Sequence, residues 1–477
     1  MSEESARASH DTINPENLLK FMVTGWASPP ATPASPIEGL ANFARRRAAL
    51  TAAFPGEVLI VPTGHEKTRA NDTAYRFRPG TDFYYLTGNL EADNVLVIDA
   101  GGATLFCEPN PGKTDATFYT DRVKGELWVG ARLGLEASAQ RYGLATRPLA
   151  ELDDALTAAI AERPYRFLRG IDPLLDAVIP ADDERDTAFA AALSEMRLIK
   201  DDLEIRELRR AIAATATAFD DVVRALPDSP TERHVEGVFG MRARIDGNDV
   251  GYGTIAASGA NACTLHWTRN DRTMGRDELL LLDAGVEAET LYTADVTRTI
   301  PISGRFSAEQ REVYALVLAA QDAAFEACVP SAEFLAPHKA AMRVLAAGLE
   351  TMGILASAED ALRDENQFYK RYSLHGVSHM LGLDVHDCAA ARAETYKFGA
   401  LQPGMVLTIE PGLYFQPDDL TVPARYRGIG VRIEDDVVVT STGCENLSEA
   451  IPRRIDELEA WVAGRVMVSS TNHRDDR

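Results

Sequence analysis

Four carboxylates stand at or near the ends of apolar strands. Asp283 closes the run LLLLD, Glu410 closes VLTIE, Asp295 opens DVTRT, and Glu434 sits in GVRIEDD. A single acid in a sequence is most often a solvated loop residue. An acid that ends an apolar strand is partly desolvated, and a cation or a hydrogen-bond donor must compensate it. Asp283 and Asp295 flank one turn, and Glu410 and Glu434 flank a longer loop. Each pair can sit on adjacent strands with both side chains on one face. Four of the nine histidines lie near these strands: His266 in CTLHW, His375 and His379 in HGVSH, and His386 in LDVHD. Four carboxylates and one imidazole suit two hard or borderline divalent ions such as manganese, cobalt or zinc. No cysteine pair stands at ligand spacing, which argues against a structural zinc site.

Such residues need elements to hold them. Strands are expected at LLLLDAG (279–285), DVTRTIPI (295–302), MVLTIEPG (405–412) and GVRIEDDVVVT (430–440). A helical stretch begins near Glu195, with Asp201 or Asp202 as a cap and Ile205, Leu208, Ile212 and Ala216 on one face. A second helix opens at Ser307, with Gln310 placed for a capping box. A third runs from about Pro337 to Met352, with Met342, Leu345 and Leu349 as its core stripe. Residues 195–465 therefore read as helices packed on an antiparallel sheet, an α+β domain. Residues 39–194 read as a smaller α/β domain. It has a helix over 41–53, a buried strand EVLIVP, and strands NVLVIDA and ATLFCEP joined at a Gly-Gly turn. This domain holds one histidine, His65, and no dense ligand cluster. Residues 1–38, polar and rich in Ser, Pro and Ala, read as a flexible arm, and 466–477 as a tail.

The 477 residues include 72 acidic and 49 basic side chains, a net charge of −23. Such a surface repels nucleic acid and anionic membranes. No run is long and apolar enough to cross a bilayer, and the polar start MSEESARASHDTINPEN lacks a secretory pattern. Five scattered cysteines point to free thiols in a reducing cytoplasm.

The runs DAGVEAETLYTADVTRTIPISG, HGVSHMLGLDVHD, GMVLTIEPGLY and YRGIGVRIEDD, taken in order, resemble the pita-bread metallopeptidases, and best their aminopeptidase P and prolidase subgroup. YRFRPGTDFYYLTG (75–88) resembles, more weakly, that subgroup's amino-terminal domain. The resemblance implies that Asp283 binds one metal, that Asp295 and Glu434 bridge two, and that His379 and Glu410 complete the second. It implies that Glu410 also moves a proton, that His266, His375 and His386 hold the scissile carbonyl and its oxyanion, and that Arg432 orients neighbouring groups. It further implies cleavage of peptides beginning Xaa-Pro, two divalent ions with manganese foremost, and a homodimer or homotetramer.

The family usually separates its two aspartates by eleven positions; here the separation is twelve. An extra residue within the strand would turn a ligand to the wrong face, so the insertion is expected in the turn EAETLY. Prolidase, which cleaves Xaa-Pro dipeptides, is the rival reading; Ser378 in HGVSH and the compact GIGVRIEDD favour aminopeptidase P. Methionine aminopeptidase usually lacks such an amino-terminal domain. Non-catalytic relatives and creatinase-like hydrolases lose metal ligands, and all five are present here. Cys263 and Cys388 lie near His266 and His386 in sequence, and read as buried inert thiols rather than nucleophiles.

Overall fold

The computed structural model describes residues 14–27, 34–71 and 73–472. The chain divides into two compact units, Met1–Leu193 and Ser194–Arg477.

The first unit is built on a five-stranded mixed sheet. Its order is Ala145–Pro148, Gly102–Cys107, Val95–Asp99, Val58–Pro62, Tyr165–Phe167. Val58–Pro62 is buried along its whole length and occupies an interior position in that sheet, as its unbroken apolar run requires. Val95–Asp99 and Gly102–Cys107 form the hairpin expected at the Gly-Gly turn. Val58, Ile60, Leu152, Leu156 and Phe167 pack into its core. Part of the segment expected as a flexible arm, 1–13 and 28–33, lies outside the described residues. Between these stretches Glu16–Met22 is a helix. Pro15 precedes its first turn, and the Tyr119 hydroxyl donates to the Met22 carbonyl at 2.8 Å, anchoring what composition alone reads as coil.

The second unit packs long helices on antiparallel strands. Asp201 and Glu204 close a capping box on Asp202–Ala225, and Ser307 and Gln310 close another on Ala308–Ala327. The buried stripe of the first helix is rotated from the expected one. Ile205 and Ala216 are half-buried, while Glu204 and Glu207 are buried because each has a partner: Tyr292 for Glu204, and Arg210 and Thr290 for Glu207. The last helix, Ile455–Asn472, continues past the expected start of the tail at 466. Acidic residues open it and no proline interrupts it.

Two strand systems carry the candidate site. Leu279–Ala284 pairs with Val296–Pro301, and the register stays constant past Gly285 to the bridge between Glu287 and Thr293. The twelve-residue spacing is therefore absorbed at the tip, residues 289–291, where Leu291 takes a φ of 66° and its amide donates to Ala288 O. The second system departs from expectation. GVRIEDDVVVT is two strands, Gly430–Arg432 and Asp435–Val439, which pair with Gly412–Tyr414 and Val406–Ile409. The break falls opposite Pro411, which has no N–H to donate to the ladder. Gln321, fully buried on Ala308–Ala327, fills the gap: its Nε2 donates to the carbonyls of Ile409 and Ile433, each at 3.2 Å.

Candidate active site

Asp283 pairs with Thr297 across the ladder, so Asp295, two positions before Thr297, lies diagonally from Asp283 on the same face. The constant register of the second system sets Glu410 opposite Glu434. Both backbones turn outward at the break. The Glu434 amide donates to Thr297 O at 3.1 Å, which joins the two systems, and the Glu410 amide donates to Val377 O at 2.8 Å. Residues 377–381 run antiparallel beside Val406–Ile409, with Thr408 N donating to His379 O. This brings the imidazole to the acids. His379 Nδ1 lies 3.2 Å from the Met380 carbonyl, and Nε2 faces Asp295 Oδ2 at 3.3 Å and Glu410 Oε1 at 3.4 Å.

All nine residues singled out from the sequence line one cavity of 500 Å³: Asp283, Asp295, His379, Glu410, Glu434, His266, His375, His386 and Arg432. Asp295, His379 and Glu434 each bring a ligand atom within 4.8 Å of the other two. His386 packs edge-on against His379 at 4.5 Å between ring centroids. His375 Nδ1 stands 3.4 Å from Glu410 Oε2, and its Nε2 lies 2.7 Å from the Tyr414 hydroxyl.

Four residues that the sequence reading passed over complete the arrangement. The Tyr252 hydroxyl reaches Asp283 Oδ1 at 2.7 Å and Asp295 Oδ1 at 2.5 Å. The Thr297 hydroxyl donates to Glu434 Oε2 at 2.6 Å and accepts from Arg432 Nε at 3.1 Å. Arg432 also donates to the Tyr414 hydroxyl at 2.9 Å and to Asp283 Oδ2 at 2.5 Å. Asp436 accepts the Asp295 amide at 3.1 Å. Period two was the available signal for three of them: Thr297 follows Asp295 by two, Asp436 follows Glu434 by two, and Tyr414 follows Glu410 by four. Tyr252, between Gly251 and Gly253, offered none.

The electrostatics show what the cluster lacks. Burial, and then the charges of Asp295, Glu410 and Asp283, push Glu434 well above the carboxylate range. Burial lifts Glu410 to about 7, against the pull of His379. Burial disfavours a charged His379, yet its hydrogen bond to Asp295 and the charge of Glu410 prevail and raise it to about 9. Without a cation, protons gather where acids crowd. A donor set of four carboxylates and one imidazole, balanced by the single guanidinium of Arg432, fits divalent metal. The thiols take no part: burial pushes Cys263 and Cys388 each up to about 12.

Comparison with known proteins agrees with this geometry. Residues 206–441 match the model of metallopeptidase family M24, and residues 43–167 that of the aminopeptidase P N-terminal domain. The chain is 48% identical to Xaa-Pro aminopeptidase 1 of Streptomyces coelicolor over 456 residues, covering 94% of this chain and 92% of that one. It is 35% identical to the Xaa-Pro aminopeptidase of Escherichia coli, covering 89% and 98%. The solved structure of E. coli aminopeptidase P with the inhibitor Pro-Leu superposes with a TM-score of 0.81 at 32% identity, covering 90% of this chain and 99% of that one. Pseudomonas aeruginosa aminopeptidase PepP superposes with a TM-score of 0.80 at 33% identity, covering 90% and 99%. With the pita-bread unit, the amino-terminal domain and relatives matched along almost their whole length, the chain belongs to the aminopeptidase P group of the M24 metallopeptidases.

Proposed function

We propose that the cavity releases the N-terminal residue from peptides whose second residue is proline, with two divalent ions, manganese foremost, held by Asp283, Asp295, His379, Glu410 and Glu434. The observation that carries this reading is the convergence of those five side chains and three further histidines on one cavity. When bound, two such ions supply a nucleophile from water at neutral pH and polarise the scissile carbonyl. The chain's own residues do the rest. Asp295 and Glu434 would help to hold both ions, with Asp283 holding one and His379 and Glu410 the other. Arg432 and Tyr252 hold Asp283 in place through the bonds described above. Glu410 takes the water's proton on a carboxylate oxygen and passes it to the leaving proline nitrogen. His375 is held neutral, with its pKa lowered to about 3 by burial and the charge of Arg432, so it contributes hydrogen bonds rather than charge. His266 and His386, at the exposed side of the cavity, donate to the carbonyl oxygen as it becomes an oxyanion.

A cytoplasmic location and a homodimer or homotetramer belong to the same reading. All five thiols are free, and among the described residues no helix is long and apolar enough to cross a membrane. The test compares an Xaa-Pro dipeptide, the same dipeptide extended by one residue, its alanine-for-proline analogue and its N-acetylated form. Proline has a fixed φ and no amide hydrogen. Its replacement should lower kcat/KM at least about 10²-fold, and acetylation should abolish cleavage. Much faster hydrolysis of the dipeptide would make the enzyme a prolidase. Equal rates on alanine peptides would remove proline selectivity.

A further inference from the structure

A second cavity, of 640 Å³, adjoins the catalytic one and shares His375, Gly376 and Ser378 with it. These three residues form the sill between the two. At Gly376 the sill carries no side chain, and a Cβ there would meet nothing nearer than Ser378 O at 3.8 Å. Beyond it the lining turns cationic, in a chain whose net charge is −23. The helix Ala336–Thr351 contributes Lys339 and Arg343, one turn apart; Lys370 comes from the short helix Phe368–Arg371, and Lys397 from the loop before Val406–Ile409. Lys339 pairs with Glu333 at 2.6 Å, whereas Arg343, Lys370 and Lys397 form no ion pair among the described residues. Asp364 is the one acid among the described lining residues.

We propose that this second cavity receives the part of the peptide that lies beyond the proline, and that it favours acidic residues and the C-terminal carboxylate there. The inference rests on the reading of the catalytic cavity as an Xaa-Pro aminopeptidase site. A substrate whose first peptide bond lies at the acidic cluster must send its remaining chain out of that cavity, and the sill opens onto the cationic one. Arg343, Lys370 and Lys397 select by charge. Cations along the second cavity draw the distal end of a peptide whose N-terminus lies at the catalytic one.

The test uses the full-length, manganese-loaded protein and three substrates: Ala-Pro-Ala, Ala-Pro-Ala-Asp-Asp and Ala-Pro-Ala-Lys-Lys. The acidic pentapeptide should exceed the lysine one in kcat/KM by about 10-fold at low salt, with the gap narrowing as salt is raised. The double variant R343E/K370E, altered at two exposed side chains, should reverse that order and change Ala-Pro-Ala, which brings only its C-terminal carboxylate to the second cavity, by a smaller factor than the acidic pentapeptide. Equal wild-type rates on the two pentapeptides would overturn the proposal while leaving the aminopeptidase reading intact. So would a double variant that keeps the acidic preference. A double variant that changes the mass by light scattering but not the preference would assign the surface to contact with a second copy of the chain. Failure to cleave any of the three would overturn the aminopeptidase reading, and this inference with it.

Discussion

At Asp387 a buried carboxylate lies between two buried cations, Arg197 Nε at 2.9 Å and Lys200 Nζ at 3.0 Å, and the Cys388 amide donates to it at 2.8 Å. At the catalytic cavity four carboxylates share the guanidinium of Arg432. Burial disfavours charge at both places, but the outcomes are opposite. Lys200 and Arg197 overcome burial and hold Asp387 down at about 2. Glu410 rises to about 7, and Glu434 rises well above its ordinary range. A buried centre whose charges cancel within the chain is complete as folded. A centre with acids in excess is completed from outside, and that excess separates a working site from a structural one.

The comparison can be broken most decisively at the acid-rich centre. Chelation should abolish turnover and added manganese should restore it, and Asp295→Ala should lose both metal and activity. A metal-free preparation with full turnover, established by elemental analysis, would end the distinction. Asp387→Ala should act on folding instead. It strands two buried cations and should cost about 3–5 kcal/mol in urea denaturation, with metal per folded chain unchanged. Acid sharpens the same point. The folded pKa of Asp387 lies below its ordinary value, so its contribution is present above about pH 4 and is lost as pH falls toward 2, on the order of 2 kcal/mol. Asp387→Asn should flatten that part of the pH–stability curve; an unchanged slope would remove Asp387 from the account. His386→Ala should keep its metal and lose about 10²–10³-fold in kcat. The smallest effect is expected of Thr297→Val, which removes the hydroxyl linking Glu434 to Arg432. Its metal affinity should fall about 10–100-fold in a competition titration, with stability nearly unchanged.

How far the site could be read from sequence follows from how local its signals are. Asp283 and Glu410 were legible because an acid that closes a largely apolar strand, LLLL in one case and VLTI in the other, has few reasons to be there. The twelve-residue spacing was placed at the hairpin tip because a slip within the strand would turn every side chain over, and the register is indeed unbroken up to Glu287 and Thr293. The rotated stripe on Asp202–Ala225 was not legible. Glu204 and Glu207 look like surface residues until Tyr292 and Thr290 arrive from far along the chain. Asp387 escaped for the same reason, since Arg197 and Lys200 stand 190 and 187 positions away. Period and propensity describe neighbours in sequence, whereas partners of buried charges come from anywhere in the fold.

Pro411 carries a consequence for the order of events in folding. Its missing N–H leaves the Ile433 carbonyl to a side chain 112 positions earlier, Gln321, on a helix that must already be docked for the bond to form. The strand pair bearing Glu410 and Glu434 therefore cannot finish its bonding as a local hairpin. Non-local closure of this kind is slow. During refolding, the Glu434 amide, whose acceptor Thr297 O lies on the other strand system, should gain protection from hydrogen exchange no sooner than the helix Ala308–Ala327. Its earlier protection would separate the two events. With the order as expected, a newly made chain passes through a compact state that has helices but no assembled ligand set, and competence to bind metal is among the last properties it acquires.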